Sequence, residues 1–319
     1  MAKAAGLRTE LGGNLGMPAL DLLKNDVQVY VLELSSFQLE TTYSLKTKVA
    51  TILNVTPDHM DRYDTVEDYR IAKQRIYSHA ETAVCNLDDT ATYPGNSFCE
   101  RIIQFTLQTP KINQFGLLNK NGVVHLAFAE ETLMTVSDLP ILGKHYQANA
   151  LAALALGYGF GLPMQPMIET LKSFQGLDHR CQLIRERNKI RWYNDSKGTN
   201  VGATIAALDG LGPEIDGKII LIAGGVGKNA DFSPLLQPVT QYARAVVLIG
   251  EMAQPLSVLL RDAAQIHFAD SMEDAISQAD KIAQAGDSVL LSPACASFDM
   301  FKNFEHRGKV FTEVVQGLK

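Results

Sequence analysis

The second half of the chain alternates short apolar runs with longer helical segments, and this alternation constrains the fold more than any other feature. The strand-like runs lie at 218–223, 245–249, 265–268 and 288–292. Strands that alternate with helices of this length predict a doubly wound, mostly parallel sheet. A hairpin turning at Asn188-Lys189 precedes them. We therefore predict a Rossmann-like carboxy-terminal domain over residues 177–319.

The first half also predicts an α/β arrangement. The pattern favours a short helix, two strands, a longer helix, a third strand, a hairpin region and two further helices. These segments lie at 18–24, 27–32, 49–55, 66–80, 83–86, 101–136, 143–161 and 163–174. We place the domain boundary near 174–177, which leaves residues 1–176 as a separate α/β domain.

Composition excludes several classes of protein. The 319 residues are 46% hydrophobic and 20% charged, which argues against general disorder. The net charge of −6 argues against a nucleic-acid binder. The four cysteines show no CxxC pair, so they indicate neither a zinc cluster nor a disulfide framework. No signal peptide and no apolar stretch of about 20 residues is evident. We expect a cytoplasmic protein that binds no nucleic acid and does not insert into a membrane.

Polar side chains follow the first two predicted strands of the first half. Glu33 and the Ser35-Ser36 pair come after the strand at 27–32. Asp58, His59 and Asp61 come after the strand at 49–55, which Pro57 prevents from continuing. Ligands bind at the carboxyl ends of strands in open α/β sheets, and these groups suit magnesium or phosphate chemistry. The alternative is a pair of turns in which Asp and Ser cap helices and His59 is a surface residue.

Two glycine-rich loops are candidates for anion binding. The loop at 12–16 lets a ligand approach the backbone, although the pattern alone favours a plain connector. The loop at 224–229 follows a strand, but it does not fit G-x-x-x-x-G-K-S/T, because Asn229 stands where the hydroxyl should be. Lys228 is therefore interpreted as an anchor for a carboxylate or phosphate. Lys73 lies within a predicted helix, where a lysine is usually solvent-exposed.

Seven motifs occur in an order that resembles the Mur ligases of peptidoglycan synthesis. They are VLELSSFQLE at 31–40, NVTPDHMDRY at 54–63, DHR at 178–180, NDSKGTN at 194–200, GGVGK at 224–228, SPACASFD at 292–299 and FKNFEHRG at 301–308. Together they span nearly the whole chain. The resemblance implies a truncated central ATPase-type α/β domain at 1–176, followed by a Rossmann-like amino-acid-binding domain at 177–319.

The activity implied by the resemblance is an ATP-dependent ligation that adds D-glutamate to UDP-N-acetylmuramoyl-L-alanine through an acyl phosphate. Two Mg²⁺ ions and fixed cations would neutralise charge on the transferring phosphoryl group. By similarity Glu33, His59 and Lys73 are the metal residues, and Lys73 is carbamylated, which replaces the exposed-lysine interpretation. Lys73, His59 and Asn14 are the implied catalytic residues.

The same resemblance assigns the remaining binding residues. Asn149, Arg180 and Asp195 match the ATP contacts, to the base, the phosphates and the ribose respectively. Tyr146 stands where some relatives carry Asn, near the adenine contact. The implied amino-acid and acceptor contacts are Thr199, Lys228, Ser297, the Phe304 backbone and Ser35. A dianionic amino acid fits a cation with hydroxyl and amide donors.

The sequence departs from the family in one large respect. Family members begin with a UDP-binding domain and then a strand with a phosphate loop, and neither occurs in these 319 residues. We therefore expect a monomeric, amino-terminally truncated chain with little or no ligase activity by itself. Two alternatives stay open: a folylpolyglutamate-synthetase-like ligase, and a non-catalytic module that binds D-glutamate or a nucleotide.

Overall fold

A computed structural model describes residues 1–95, 99–141 and 143–319. The chain forms two compact units. The first comprises Met1–Thr56 and Tyr63–Gln175, and the second comprises Pro57–Arg62 and Gly176–Lys319. The short segment Pro57–Arg62 thus belongs to the second unit, although it follows a strand of the first.

The first unit contains eight strands and four α-helices among its described residues. They are β1 (Thr9–Gly13), β2 (Val29–Glu33), α1 (Ser36–Glu40), β3 (Thr47–Ile52), α2 (Val66–Gln74), β4 (Ala80–Asn86), β5 (Arg101–Phe105), β6 (Gln114–Lys120), β7 (Val123–Phe128), β8 (Glu131–Thr135), α3 (Lys144–Phe160) and α4 (Met164–Ser173).

Its strands form two sheets. β1 and β2 pair in parallel as a two-stranded sheet, and the other strands form a sheet in the order β3-β4-β5-β6-β7-β8. Strands β3 to β6 are parallel, whereas β6, β7 and β8 are antiparallel, as the predicted hairpins require. The alanine-rich α3 supplies buried residues to the main core, together with Phe105, Phe115 and Leu126 of the larger sheet.

The second unit contains six strands and five α-helices among its described residues. They are β9 (Gln182–Arg187), β10 (Ile190–Asn194), α5 (Val201–Leu211), β11 (Ile219–Gly224), α6 (Leu236–Tyr242), β12 (Ala243–Ile249), α7 (Ala253–Leu260), β13 (Gln265–Phe268), α8 (Met272–Ile282), β14 (Ser288–Leu291) and α9 (Phe304–Gly317).

These strands form one sheet in the order β13-β12-β11-β14-β10-β9, in which only the β9–β10 pair is antiparallel. The predicted doubly wound fold is confirmed. Alternate residues of β11 enter two different cores: Leu221 and Ala223 pack on one side, Ile220 and Ile222 on the other. Apolar residues on both faces are what a parallel sheet covered by helices needs.

Two predicted segments of the first unit end earlier than the pattern suggested. β3 stops at Ile52 rather than 55, and the Val55 N–H bonds instead to the Asp89 carboxylate at 2.8 Å. α2 stops at Gln74, and a 3₁₀ turn over Arg75–Tyr77 follows. That turn delivers the Tyr77 ring to the core, where its hydroxyl accepts the Ile52 N–H at 2.8 Å. Tertiary contacts thus set both ends. In the described part of the chain, no helix is long and apolar enough to cross a membrane.

Candidate functional site

Three neighbouring strands of the second unit end at the same edge of its sheet. β14 lies between β11 and β10, and both pairs are parallel. The loops that follow these strands lie at 195–200, 225–229 and 292–297, and they contain four of the eight predicted binding residues: Asp195, Thr199, Lys228 and Ser297. In open α/β sheets this edge is where ligands bind. The topology therefore collects residues that are up to about a hundred positions apart.

Glycine is required in the loop after β11. Gly224 and Gly225 have φ angles of +122° and +127°. A Cβ at either position would collide with a backbone carbonyl oxygen, of Ile249 or of Ala296. The close approach allows Val226 and Ala296 to exchange two backbone hydrogen bonds of 2.9 and 3.0 Å. The loop that contains Lys228 is thus fastened to the loop that contains Ser297.

A buried arginine joins two of these loops. Arg307, in the first turns of α9, is 1% exposed. Its guanidinium donates to the Ser196 hydroxyl at 3.0 Å and carbonyl at 2.8 Å, and to the Cys295 carbonyl at 3.2 Å. Burial lowers the pKa of Arg307 to about 10. Sequence reasoning gave this residue no role; its only signal was its place inside the FKNFEHRG motif.

The amino terminus of α9 faces the same loops through its backbone. Asn303 caps the helix by accepting the His306 N–H at 2.7 Å, and the Phe304 carbonyl accepts the Ser196 hydroxyl at 2.8 Å. The Phe304 N–H is the first of the helix, so it has no acceptor within the helix. Such an N–H, at the positive end of the helix dipole, suits a carboxylate. This supports the predicted use of the Phe304 backbone.

Asp195 is buried beside these loops. Its Oδ2 accepts the Ser292 hydroxyl at 2.7 Å, and its Oδ1 accepts the Cys181 N–H at 3.1 Å. Burial raises the pKa of Asp195 to about 7, although these hydrogen bonds and the nearby Arg180 act in the opposite direction. Both carboxylate oxygens thus have protein donors, and the predicted contact with a ribose stays a prediction.

The loop Pro57–Arg62 brings Asp58 to the second unit's site. Asp58 Oδ2 accepts from Asn200 Nδ2 at 3.1 Å, and Asp58 Oδ1 lies 3.8 Å from Lys228 Nζ. The following residue, His59, has a φ of +57° and donates its N–H to Asp58 Oδ1 at 2.9 Å. The residue pattern grouped Asp58 with a magnesium or phosphate site, and the resemblance gave it no role; the structure instead places it against Asn200, next to Thr199, and near Lys228 of the predicted amino-acid contacts.

The first unit brings Asn14 and Glu33 together. Asn14 follows β1 and Glu33 is the last residue of β2; because these strands are parallel neighbours, both residues lie at the carboxyl edge of the small sheet. The Asn14 N–H donates to the Glu33 carbonyl at 2.6 Å, and Asn14 Nδ2 donates to Glu33 Oε1 at 3.3 Å. Ser35 caps α1 by accepting the Gln38 N–H at 3.2 Å. Capping is the alternative that the sequence left open for Ser35, whose contact with substrate stays a prediction.

The three predicted metal residues are divided between the units. Glu33 and Lys73 lie in the first unit and His59 in the second. Lys73 is half-buried on α2, with its Nζ 4.7 Å from the centre of the Tyr69 ring. Within the described ranges, no group of three or more His, Cys, Asp or Glu side chains is arranged to hold a metal ion. The magnesium site therefore stays a prediction.

Asn149 lies at an apolar cavity of about 260 Å³ in the first unit. Tyr146 and Phe174 contribute to its wall, and most of the remaining lining residues are aliphatic. An apolar slot with one amide suits a flat base that stacks on its faces and forms hydrogen bonds at its edge. The cavity is thus compatible with the predicted adenine contact at Asn149.

The fold is a pair of α/β units, the second with cationic and hydroxyl side chains in the loops at its strand ends. Residues 11–157 match the Mur ligase middle domain, and residues 179–295 match the Mur ligase, glutamate ligase domain. The whole chain is 52% identical to the UDP-N-acetylmuramoylalanine–D-glutamate ligase of Pseudomonas putida and 51% identical to that of Pseudomonas aeruginosa, and it covers 71% of each relative's length. The chain belongs to the Mur ligase family.

Solved structures agree on the fold. MurF from Acinetobacter baumannii superposes with a TM-score of 0.75 at 17% identity, covering 99% of this chain and 72% of that one. MurF from Thermotoga maritima, solved in complex with ADP, gives a TM-score of 0.71 at 17% identity, covering 98% and 74%. The prediction of a central ATPase-type α/β domain followed by a Rossmann-like domain is confirmed.

Proposed function

We propose that this chain belongs to an ATP-dependent ligase that joins D-glutamate to the carboxylate of UDP-N-acetylmuramoyl-L-alanine. The observation that carries the proposal is that the loops after β10, β11 and β14, which contain Thr199, Lys228 and Ser297, leave one edge of the second unit's sheet and are tied together by Arg307 and by the Val226–Ala296 hydrogen bonds. The relatives at 51% and 52% identity are named for this reaction. Their names favour D-glutamate over the folylpolyglutamate-type alternative.

The reaction has two steps. The acceptor carboxylate attacks the γ-phosphorus of ATP, which releases ADP and leaves an acyl phosphate. The amine of D-glutamate then attacks the acyl carbon, phosphate leaves, and the amine loses a proton to form the amide. Bound Mg²⁺ would neutralise charge on the transferring phosphoryl group. The protein's task is to position the groups and to supply donors where negative charge is held.

The second unit would hold the incoming amino acid. Lys228 supplies a cation for one carboxylate, while the Thr199 and Ser297 hydroxyls and the Phe304 N–H supply donors. Ser297 is 2% exposed, and its loop is fixed by the Val226–Ala296 hydrogen bonds. Because these loops are already ordered, binding the ligand costs little conformational entropy. In this proposal Ser35 contacts the acceptor substrate.

Residues of the first unit would support the phosphoryl group and the base, and the family resemblance assigns His59, Arg180 and Asp195 of the second unit to the same ligands. Asn14 and Glu33 lie together at the strand ends, and Asn149 lies at the apolar cavity. Arg180 would contact the phosphates and Asp195 the ribose. The donors Glu33, His59 and a carbamylated Lys73 are hard oxygen and imidazole ligands, which fit Mg²⁺ and its bound water. Carbamylation requires Lys73 to lose a proton before it reacts with carbon dioxide.

A second candidate function has its own support. The 319 residues contain no G-x-x-x-x-G-K-S/T segment, so the β- and γ-phosphates lack the usual loop of backbone donors. By themselves these residues would act as a monomeric module that binds D-glutamate and nucleotide without turnover. Both roles require binding of D-glutamate and nucleotide, and only the ligase role requires that these ligands react.

Two measurements test the proposal. Phosphate release with ATP, UDP-N-acetylmuramoyl-L-alanine and D-glutamate is expected to be near background for the 319 residues and rapid for the Pseudomonas putida enzyme; comparable rates would contradict the binding-module role. Calorimetry is expected to show that D-glutamate binds more tightly than L-glutamate. A preference for L-glutamate would favour the folylpolyglutamate-type alternative.

The Lys73 carbamate can be tested without activity. Incubation with ¹³C-bicarbonate is expected to give a carbamate carbon signal in the NMR spectrum, which Lys73→Arg removes. A signal of equal intensity in the variant would place the modification on another lysine. Absence of the signal from the unmodified chain would remove Lys73 from the magnesium proposal.

A further inference from the structure

The proposed amino-acid pocket contains a carboxylate of its own. Asp58 Oδ1 lies 3.8 Å from Lys228 Nζ, and Asp58 Oδ2 accepts from Asn200, which adjoins Thr199. The pocket is proposed to bind an amino acid with two carboxylates, which a neighbouring negative charge would repel. An acidic group at this place therefore needs a function that offsets this repulsion.

D-Glutamate provides such a function, because it carries an ammonium group as well as its two carboxylates. A zwitterion can replace an internal ion pair without loss of charge pairing: its carboxylate takes the lysine, and its ammonium takes the aspartate. We propose that Asp58 anchors the ammonium of the incoming amino acid and thereby selects amino acids over dicarboxylates. This role rests on the proposed D-glutamate pocket. It gives a protein partner to the ammonium, the charge of D-glutamate that the other proposed contacts leave unassigned.

The Asp58 carboxylate is oriented before any ligand binds. Asn200 is the N-cap of α5 and accepts the Ala203 N–H at 2.9 Å through Oδ1, which leaves its amide nitrogen to donate to Asp58. The His59 N–H holds the other oxygen at 2.9 Å. The Asp58 side chain is 18% exposed and that of Lys228 is 28% exposed, so both charges are sheltered but reachable. A fixed, partly desolvated carboxylate is a good partner for an ammonium.

The experiment compares D-glutamate with glutarate, which has the same two carboxylates and chain length but no ammonium. Calorimetry on the 319-residue chain is expected to show tighter binding of D-glutamate. In Asp58→Asn the affinity for D-glutamate should fall about tenfold, whereas the affinity for glutarate should stay the same or rise. Asp58→Glu should keep the preference for D-glutamate.

Matched variants separate this role from a structural one. Asp280→Asn removes a carboxylate from an ion pair with Arg187 (2.8 Å) that lies on other elements, α8 and β9, and it should affect neither ligand. Asp58→Ser gives a second neutral variant if Asp58→Asn does not fold, as judged by circular dichroism. Lys228→Met should weaken both ligands, because it removes the carboxylate anchor.

The outcomes distinguish the Asp58 ammonium anchor from the D-glutamate pocket on which it rests. Equal changes for D-glutamate and glutarate in Asp58→Asn, or no change in either, would overturn the ammonium anchor and leave the pocket intact. No binding of D-glutamate to the unmodified chain at tens of millimolar would overturn the pocket and the anchor together. A loss confined to D-glutamate supports both.

Discussion

The two units differ in how completely their parallel strands are enclosed. All six residues of β11 in the second unit are buried. Among the described residues of the first unit, β2 pairs with β1 alone, and Tyr30 and Val31 are 36% and 47% exposed. A two-stranded sheet is marginal by itself, and parallel strands are normally covered on both faces. The pocket of the second unit therefore rests on a closed core, whereas Asn14 and Glu33 rest on few buried contacts.

The largest expected effect contrasts one residue from each of these strands. Ile222→Ala in β11 should cost about 2–5 kcal/mol of unfolding free energy, because it opens a cavity in a core that cannot collapse. Val31→Ala in β2 should cost well under about 1 kcal/mol, since Val31 already faces water. Trp192, the sole tryptophan, is buried in the second unit, so its fluorescence during urea unfolding reports that unit. Exchange of the backbone amide hydrogens of β2 measures the stability of that strand. Similar losses at both positions would contradict the comparison.

The next effect concerns the buried guanidinium. Arg307→Met should destabilise the second unit by about 2–4 kcal/mol, because the Ser196 and Cys295 carbonyls lose their donor inside the protein. Urea unfolding followed by Trp192 fluorescence measures the loss. Arg187→Met is the control: it breaks a partly exposed ion pair with Asp280 and should cost at most about 1 kcal/mol. If both variants lose the same free energy of unfolding, Arg307 does not hold the loops together.

The sequence predicted the second unit well because its strands are continuous apolar runs, and such runs match parallel strands that are covered by helices on both faces. It also predicted that Glu33 lies at a strand end, but it took the loop at 12–16 as a connector and missed β1, so the position of Asn14 beside Glu33 was not predicted from the pattern. It could not predict Arg307, whose acceptors, Ser196 and Cys295, are 111 and 12 positions away. Nor could it place Asp58, which follows a strand of the first unit but bonds to Asn200 across 142 positions. Local patterns do not encode such contacts.

A further prediction concerns the pH dependence of the second unit. Because burial raises the pKa of Asp195 to about 7, the folded chain retains a proton that the unfolded chain has lost above pH 4. Stability from this group is therefore greatest at low pH and declines as the pH rises toward 7, by at most about 1.4 kcal/mol per pH unit. Asp195→Asn should remove that decline. Unfolding curves at pH 5, 6, 7 and 8 test this, and parallel curves for the two proteins would contradict it.

The smallest effects should be equal in the two units. Thr65 caps α2 in the first unit, and Ser271 caps α8 in the second, each by accepting the N–H of the third helical residue at 3.1 Å. Replacing either residue with Ala should lower the free energy of unfolding by about 1 kcal/mol. The cap accepts a backbone N–H of its own helix, so this loss does not depend on how the strands of that unit are buried. Hydrogen exchange in α2 and Trp192 fluorescence measure the two losses. If Ser271→Ala cost several times more than Thr65→Ala, local structure as well as burial would differ between the units. Equal losses would confine the difference to how the strands are covered.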